Sequence, residues 1–142
     1  MRRRTLIAAG TAAALTGVAS TASAQSHGGG DAPAPSLNIN GVGLPVIAGG
    51  RLRNYVFVTL RLHLGAHATP EALRHKEAFF RDALVKAGHR TPFVLANDWT
   101  RLDANALSAS LMRSAVAIAG RGAVTRVEVV SQAPRRQISP PR

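Results

Sequence analysis

The sequence predicts an α+β domain: a small antiparallel sheet with two helices packed on one face, in the order strand-strand-helix-helix-strand. Three observations carry this. Tyr55 to Leu64 alternates without a break, Val56, Val58, Leu60, Leu62 and Leu64 pointing one way and Tyr55, Phe57, Thr59, Arg61 and His63 the other. Thr69 to Phe93 carries the start and stop signals of a helix, and a second apolar helical stripe follows Asp103. Ala123 to Val130 then returns to a two-residue period.

Residues 1–24 have the three parts of an export signal. Arg2, Arg3 and Arg4 form a basic start, Thr5 to Ala19 is Ala-rich and modestly apolar, and Ala22-Ser23-Ala24 is a small-x-small cleavage site before Gln25. Polar residues interrupt the run, so it lacks the continuous apolar length of a membrane span. The alternative is a retained signal anchor. Arg3-Arg4-Thr5-Leu6-Ile7 also resembles a twin-arginine signal, and the choice between that route and general secretion stays open. The expected compartment is the periplasm. Residues 25–36 are a Gly/Pro/Ser linker.

The folding region is expected over residues 37–132. Leu37 to Ala48 is a weaker strand, with Leu44, Val46 and Ala48 alternating, and Pro45 assigns it to a sheet edge or a bulge. Gly49-Gly50 is a turn, so this strand and the next form a hairpin. In the central helix Thr69 is the N-cap, Pro70 the first position, Glu71 a favourable first-turn acid and Gly88 the candidate C-cap, with Pro92 beyond. Leu73, Phe80, Leu84 and Ala87 fall within about 40° of one line. His89 to Trp99 is expected to be irregular, with Phe93 to Leu95 covering the core or pairing briefly. Asp103 caps the second helix, Leu102 and Leu107 fit a hydrophobic staple, and Gly120 ends it. In the last strand Val127 and Val129 point inward, Arg126 and Glu128 outward. Residues 133–142 read as a basic disordered tail.

The composition narrows the chemistry. The net charge is +11, with sixteen arginines against two lysines; losing residues 1–24 removes three arginines and no acid, leaving +8. Such a chain favours anionic partners, an anionic membrane surface among them. Aromatic residues make up 4%, too few for a nucleic-acid surface built on base stacking. With no cysteine there is no disulfide, thiolate metal site or cysteine nucleophile. No serine-nucleophile elbow, zinc-protease motif or phosphate-binding glycine loop occurs, so neither an enzymatic activity nor a cofactor is expected. His63 and His67 lie four apart without a third ligand nearby, so no metal site is expected.

The remaining candidates are contact residues: Arg74, Glu77, Arg81, His89 and Arg90. Glu77 falls on the apolar line of the helix. It is either paired with Arg81 or Arg74 at the core edge or a carboxylate that reads a ligand or partner chain. His89 and Arg90 follow the helix C-terminus, where cations either complement the dipole or bind an anion.

The strand N-Y-V-F-V-T-L-R-L-H-L, the helix with F-F-R-D-A-L-V, the Asp-led helix and the strand A-V-T-R-V-E-V-V-S-Q together resemble, over about Leu37 to Gln132, the periplasmic domain of the FliL family of flagellar basal-body-associated proteins. The resemblance lies in the order of these pieces. It implies a small α+β domain similar to the stomatin type, no catalytic residues, and action by oligomerisation near the flagellar stator. An envelope or flagellar-motor protein, or a second copy of the chain, is then the expected partner. FliL proteins keep an N-terminal membrane helix where residues 1–24 here read as cleavable.

Overall fold

The computed structural model describes residues 34–142, so the export signal and most of the linker lie outside the described residues. The domain is α+β, with a three-stranded antiparallel sheet, a small two-stranded sheet and three helices. Strands β1 (Ser36–Ala48) and β2 (Arg51–Leu64) form a long hairpin. It turns on Gly49 and Gly50, with φ of 59° and 70°. A two-residue hairpin turn of this hand needs positive φ at both positions, which glycine supplies without steric cost. β2 is the central strand, flanked by β1 and by β5 (Val124–Pro134).

The five inward residues of β2 are buried, Val56, Val58, Leu60 and Leu62 completely. Val56, Val58, Leu60 and Leu62 pair with Leu44, Val42, Ile39 and Leu37 of β1, and Leu60, Leu62 and Leu64 with Val129, Val127 and Val124 of β5. Two β1 residues, Asn40 and Gly41, stand opposite Thr59, with Gly41 at φ 63°. This bulge keeps Ile39 and Val42 on the same buried face although they are three apart. Pro45 sits on β1, which is an edge strand as its proline requires.

The 69–93 stretch is two helices rather than one: α1 (Pro70–Arg74) and α2 (Glu77–Arg90). Thr69 caps α1, its hydroxyl accepting from the Ala72 N–H at 3.2 Å. The Lys76 N–H then turns back to the Leu73 carbonyl at 2.9 Å, and α2 restarts from the Lys76 carbonyl. The break goes with a tertiary bond that an isolated helix would not predict. The Lys76 ammonium donates to the Ile118 carbonyl at 3.0 Å, meeting the carbonyl end of α3 (Ala104–Ala119), where a cation is favoured. Gly88 is not a C-cap either. It lies buried inside α2, where an added Cβ would stand 3.4 Å from Leu44 and 3.7 Å from both Pro45 and Phe93. At those ordinary contact distances the position would also admit a methyl group, and the helix runs on to Arg90.

The segment expected to be irregular holds a small hairpin, β3 (Val94–Leu95) and β4 (Asp98–Leu102). Asp103 caps α3 through its Oδ1, which accepts the Asn105 and Ala106 N–H groups at 3.0 and 3.1 Å. Leu102 and Leu107 are both buried, consistent with the staple, and Leu111 and Ala115 continue the buried stripe. α2 packs on β1, α3 on β5, and the two helices on each other. All of this covers one face of the sheet. On the other face Phe57 is 45% exposed and Tyr55, Thr59, Arg61 and His63 are half-buried.

The expected tail boundary at Ala133 is also corrected. Ala133 and Pro134 pair with Phe57 and Val56, and the Arg135 N–H donates to the Tyr55 carbonyl at 2.8 Å. Two side-chain amides hold this end together. Buried Asn54 donates to the carbonyls of Trp99 (2.9 Å) and Arg136 (2.8 Å). Its Oδ1 accepts from the N–H groups of Tyr55 and Arg136 at 2.9 and 3.2 Å. Gln132 pairs with Leu102 as a strand neighbour would, accepting from its N–H at 2.7 Å and donating to its carbonyl at 3.2 Å.

The sheet's other end tests the tightness of the chain path. An added Cβ on Gly65 would fall 2.1 Å from the Gly122 carbonyl oxygen. Backbone must move to admit it, so Gly65→Ala is expected to destabilise by about 1–3 kcal/mol. Urea unfolding checks this; an unchanged midpoint and slope would show that the 65–122 crossing is loose.

Candidate functional site

The structure brings three of the five expected contact residues together and separates the other two. Arg74, Glu77 and Arg81 line one shallow depression of about 510 Å³ with His75, Ala78, Asp82 and Val85. His89 and Arg90 lie at the far end of α2. His89 Nδ1 is 2.8 Å from the Val85 carbonyl, and Arg90 borders a separate groove against α3 with Arg113.

Glu77 opens α2, where an acid meets the positive end of the helix dipole. Its Oε1 accepts from Arg81 Nη2 at 3.1 Å, one helical turn on. The same Nη2 donates to the Asn40 carbonyl at 2.9 Å. Asn40 belongs to the β1 bulge, so the network ties helix to sheet at the point where the ladder is interrupted. The ion-pair alternative therefore accounts for Glu77, with Arg81 rather than Arg74 as partner. The side chains are 33% and 38% exposed, a surface geometry rather than a buried pair. Asp82 and Lys86 form a second, more exposed i,i+4 pair at 2.8 Å.

A second polar cluster lies on the open face of the sheet. His63 Nε2 is 2.8 Å from Glu128 Oε2 and 3.0 Å from Arg126 Nη2. One ring nitrogen cannot both donate to the carboxylate and accept from the guanidinium. The nearby negative charge favours the donor role, which leaves Arg126 as a charge neighbour, 3.8 Å from Glu128. The His63 hydrogen bond, with Arg61 and Arg126 adding positive charge, holds the Glu128 carboxyl below its ordinary value, against a smaller opposing effect of burial. The Asp98 carboxyl is likewise lowered, chiefly by hydrogen bonds from the Thr100 side chain and backbone. Among the described residues no group of three or more histidine and acidic side chains converges as a metal site would require. No helix among them is long and apolar enough to cross a membrane.

The sequence reading missed Asn54, Gln132 and the pairing of Arg53 with Trp99, whose ring lies 5.1 Å from the guanidinium carbon. One signal was available: Asn54 shares the inward parity of Val56, and a polar side chain there needs buried partners.

Compared with known proteins, the chain matches no family model, no curated protein and no solved structure.

Two predictions follow from this geometry. Glu77→Ala should destabilise by about 0.2–1 kcal/mol, the range of exposed pairs. Arg81→Ala should cost more, because it also frees the Asn40 carbonyl, and the double variant should lose less than the sum of the two. Denaturant melts of the four proteins measure this, and strict additivity would dissociate Glu77 from Arg81. The second prediction concerns pH. Because the folded Glu128 value is depressed, its contribution to stability is complete above the ordinary glutamate value and is lost as pH falls through the folded one. His63→Phe should move the Glu128 titration upward, observed by carbon NMR of its carboxyl; an unmoved titration would assign the shift to the arginines.

Proposed function

We propose that the chain is an exported, non-enzymatic protein of the cell envelope that acts by protein contact, in the manner of the FliL family and in association with the flagellar motor. One observation carries the non-enzymatic part. Five of the six carboxylates in residues 34–142 are engaged in structural bonds: Glu77 with Arg81, Asp82 with Lys86, Asp98 with Thr100, Asp103 at the α3 cap and Glu128 with His63. The sixth, Glu71, lies in the first turn of α1. Unpaired arginines and exposed apolar side chains such as Leu52 and Phe79 suit contact rather than acid–base work. The export pattern of residues 1–24 and the order of strands and helices support the envelope and FliL-like parts.

A second reading is a small periplasmic module for an anionic ligand or surface. The arginines of the hairpin end, described below, favour it.

The mature protein is expected to begin at or near Gln25 and to leave cells with the periplasmic fraction on osmotic shock. Intact-mass measurement decides this, and a Met1-containing form in the membrane fraction would overturn the cleaved-signal part. Deleting the gene is expected to impair swimming while filaments still form. Normal swimming would remove the flagellar role and leave the second reading.

A further inference from the structure

The cationic side chains concentrate at the turn end of the β1–β2 hairpin. Arg53, Arg135 and Arg136 line a depression of about 180 Å³ with Leu52, Asn54 and Tyr55, and no carboxylate borders it. Among the described residues none of these three arginines, nor the adjacent Arg51, forms an ion pair.

Their positions are fixed in advance. Arg53 is the extra β2 residue at the irregularity between Val46 and Ile47. Its guanidinium lies over the Trp99 ring, and its Nε donates to the Ala48 carbonyl at 3.1 Å. Asn54 holds both the N–H and the carbonyl of Arg136, and the Tyr55 carbonyl holds the N–H of Arg135. Two arginines that a disordered tail would leave free are thus carried at fixed backbone positions beside Arg53. A guanidinium matches phosphate oxygens, and with the Arg53 side chain and the backbone of the other two in place less ordering remains on binding. Leu52, 54% exposed, shares the same wall.

We propose that this hairpin end docks on an anionic phospholipid surface, the arginines meeting headgroup phosphates while Leu52 enters the interface. The combination selects a bilayer over a soluble anion. A dissolved phosphate gains nothing from an exposed leucine, whereas a membrane interface takes up both an apolar side chain and the cations around it. The site is distinct from the Arg74–Glu77–Arg81 depression, which has Glu77 and Asp82 in its wall and Arg81 paired with Glu77. The inference rests on the second reading above and names its surface.

The test is co-sedimentation of the protein as recovered from cells with phosphatidylglycerol-containing and pure phosphatidylcholine vesicles. Binding is expected to the anionic vesicles only and to fall with salt. The triple variant Arg53→Gln/Arg135→Gln/Arg136→Gln should lose at least about ten-fold in partitioning. Arg61→Gln/Arg113→Gln/Arg121→Gln removes the same charge elsewhere and should stay within about two-fold of the parent. Leu52→Ser should weaken binding while leaving its salt dependence unchanged. Arg135→Gln/Arg136→Gln keeps the Arg53–Trp99 contact and the Asn54 bonds, so it serves if the triple variant melts early. Equal loss in both triples would reduce the effect to net charge and overturn the site. Displacement by inorganic phosphate beyond a chloride control of equal ionic strength would show a soluble-oxyanion site and overturn the membrane assignment. Because vesicle binding is read on purified protein, its failure leaves export and motility results standing, and the reverse also holds.

Discussion

The domain depends on one strip of aliphatic side chains down the middle of the sheet. Val56, Val58, Leu60, Leu62 and Leu64 of β2 are flanked on both sides by paired strands and roofed by the helices. Burying each is worth about 1.5–3 kcal/mol at most, measured against an extended chain. Other elements are placed by what they add to this strip. α2 brings Phe80 and Leu84, α3 brings Leu107 and Leu111, and β5 brings Val124 and Val127. A shift of β2 by one residue would turn Phe57, Arg61 and His63 inward and leave no core, so its register is tightly specified.

That strip was also the most legible part of the sequence, because alternation is a local pattern set by backbone geometry. The same holds for the Gly49-Gly50 turn and the Asp103 cap, each governed by the chemistry of one or two residues. The break at His75-Lys76 was not legible. Nothing local ends the helix there; Thr69 to Arg90 carries no glycine or proline near the break, and Lys76 finds its carbonyl only once α3 is in place. β4 was hidden for a related reason. Its residues Asp98 to Leu102 show no clean alternation, and they are held by Leu102 bonding to Gln132, thirty residues away.

The candidate contact residues follow the same division. Glu77 and Arg81 were readable as a pair from helical spacing alone. Their third partner, the Asn40 carbonyl, was not, because it becomes available through a bulge whose position depends on pairing between strands. His89 finds the Val85 carbonyl one helical turn back, a local partner, whereas the groove that Arg90 shares with Arg113 of α3 depends on how the two helices pack. The ordering of Arg135 and Arg136 was missed because it comes from Tyr55 and Asn54 of β2, the latter 82 residues before Arg136. Long-range side-chain-to-backbone bonds leave no periodic trace, and a buried amide on an aliphatic face is the best warning of them.

The bulges and prolines of the two outer strands bear on how the domain meets other chains. An open sheet offers unpaired N–H and carbonyl groups along both borders, a template for strand addition and for aggregation. Here β1 is interrupted at Asn40-Gly41 and carries Pro45, which has no N–H to offer. β5 is interrupted at Val130 and ends in Pro134. Neither border presents a long regular ladder. Growth of the sheet from molecule to molecule is therefore disfavoured relative to contact through faces and tips.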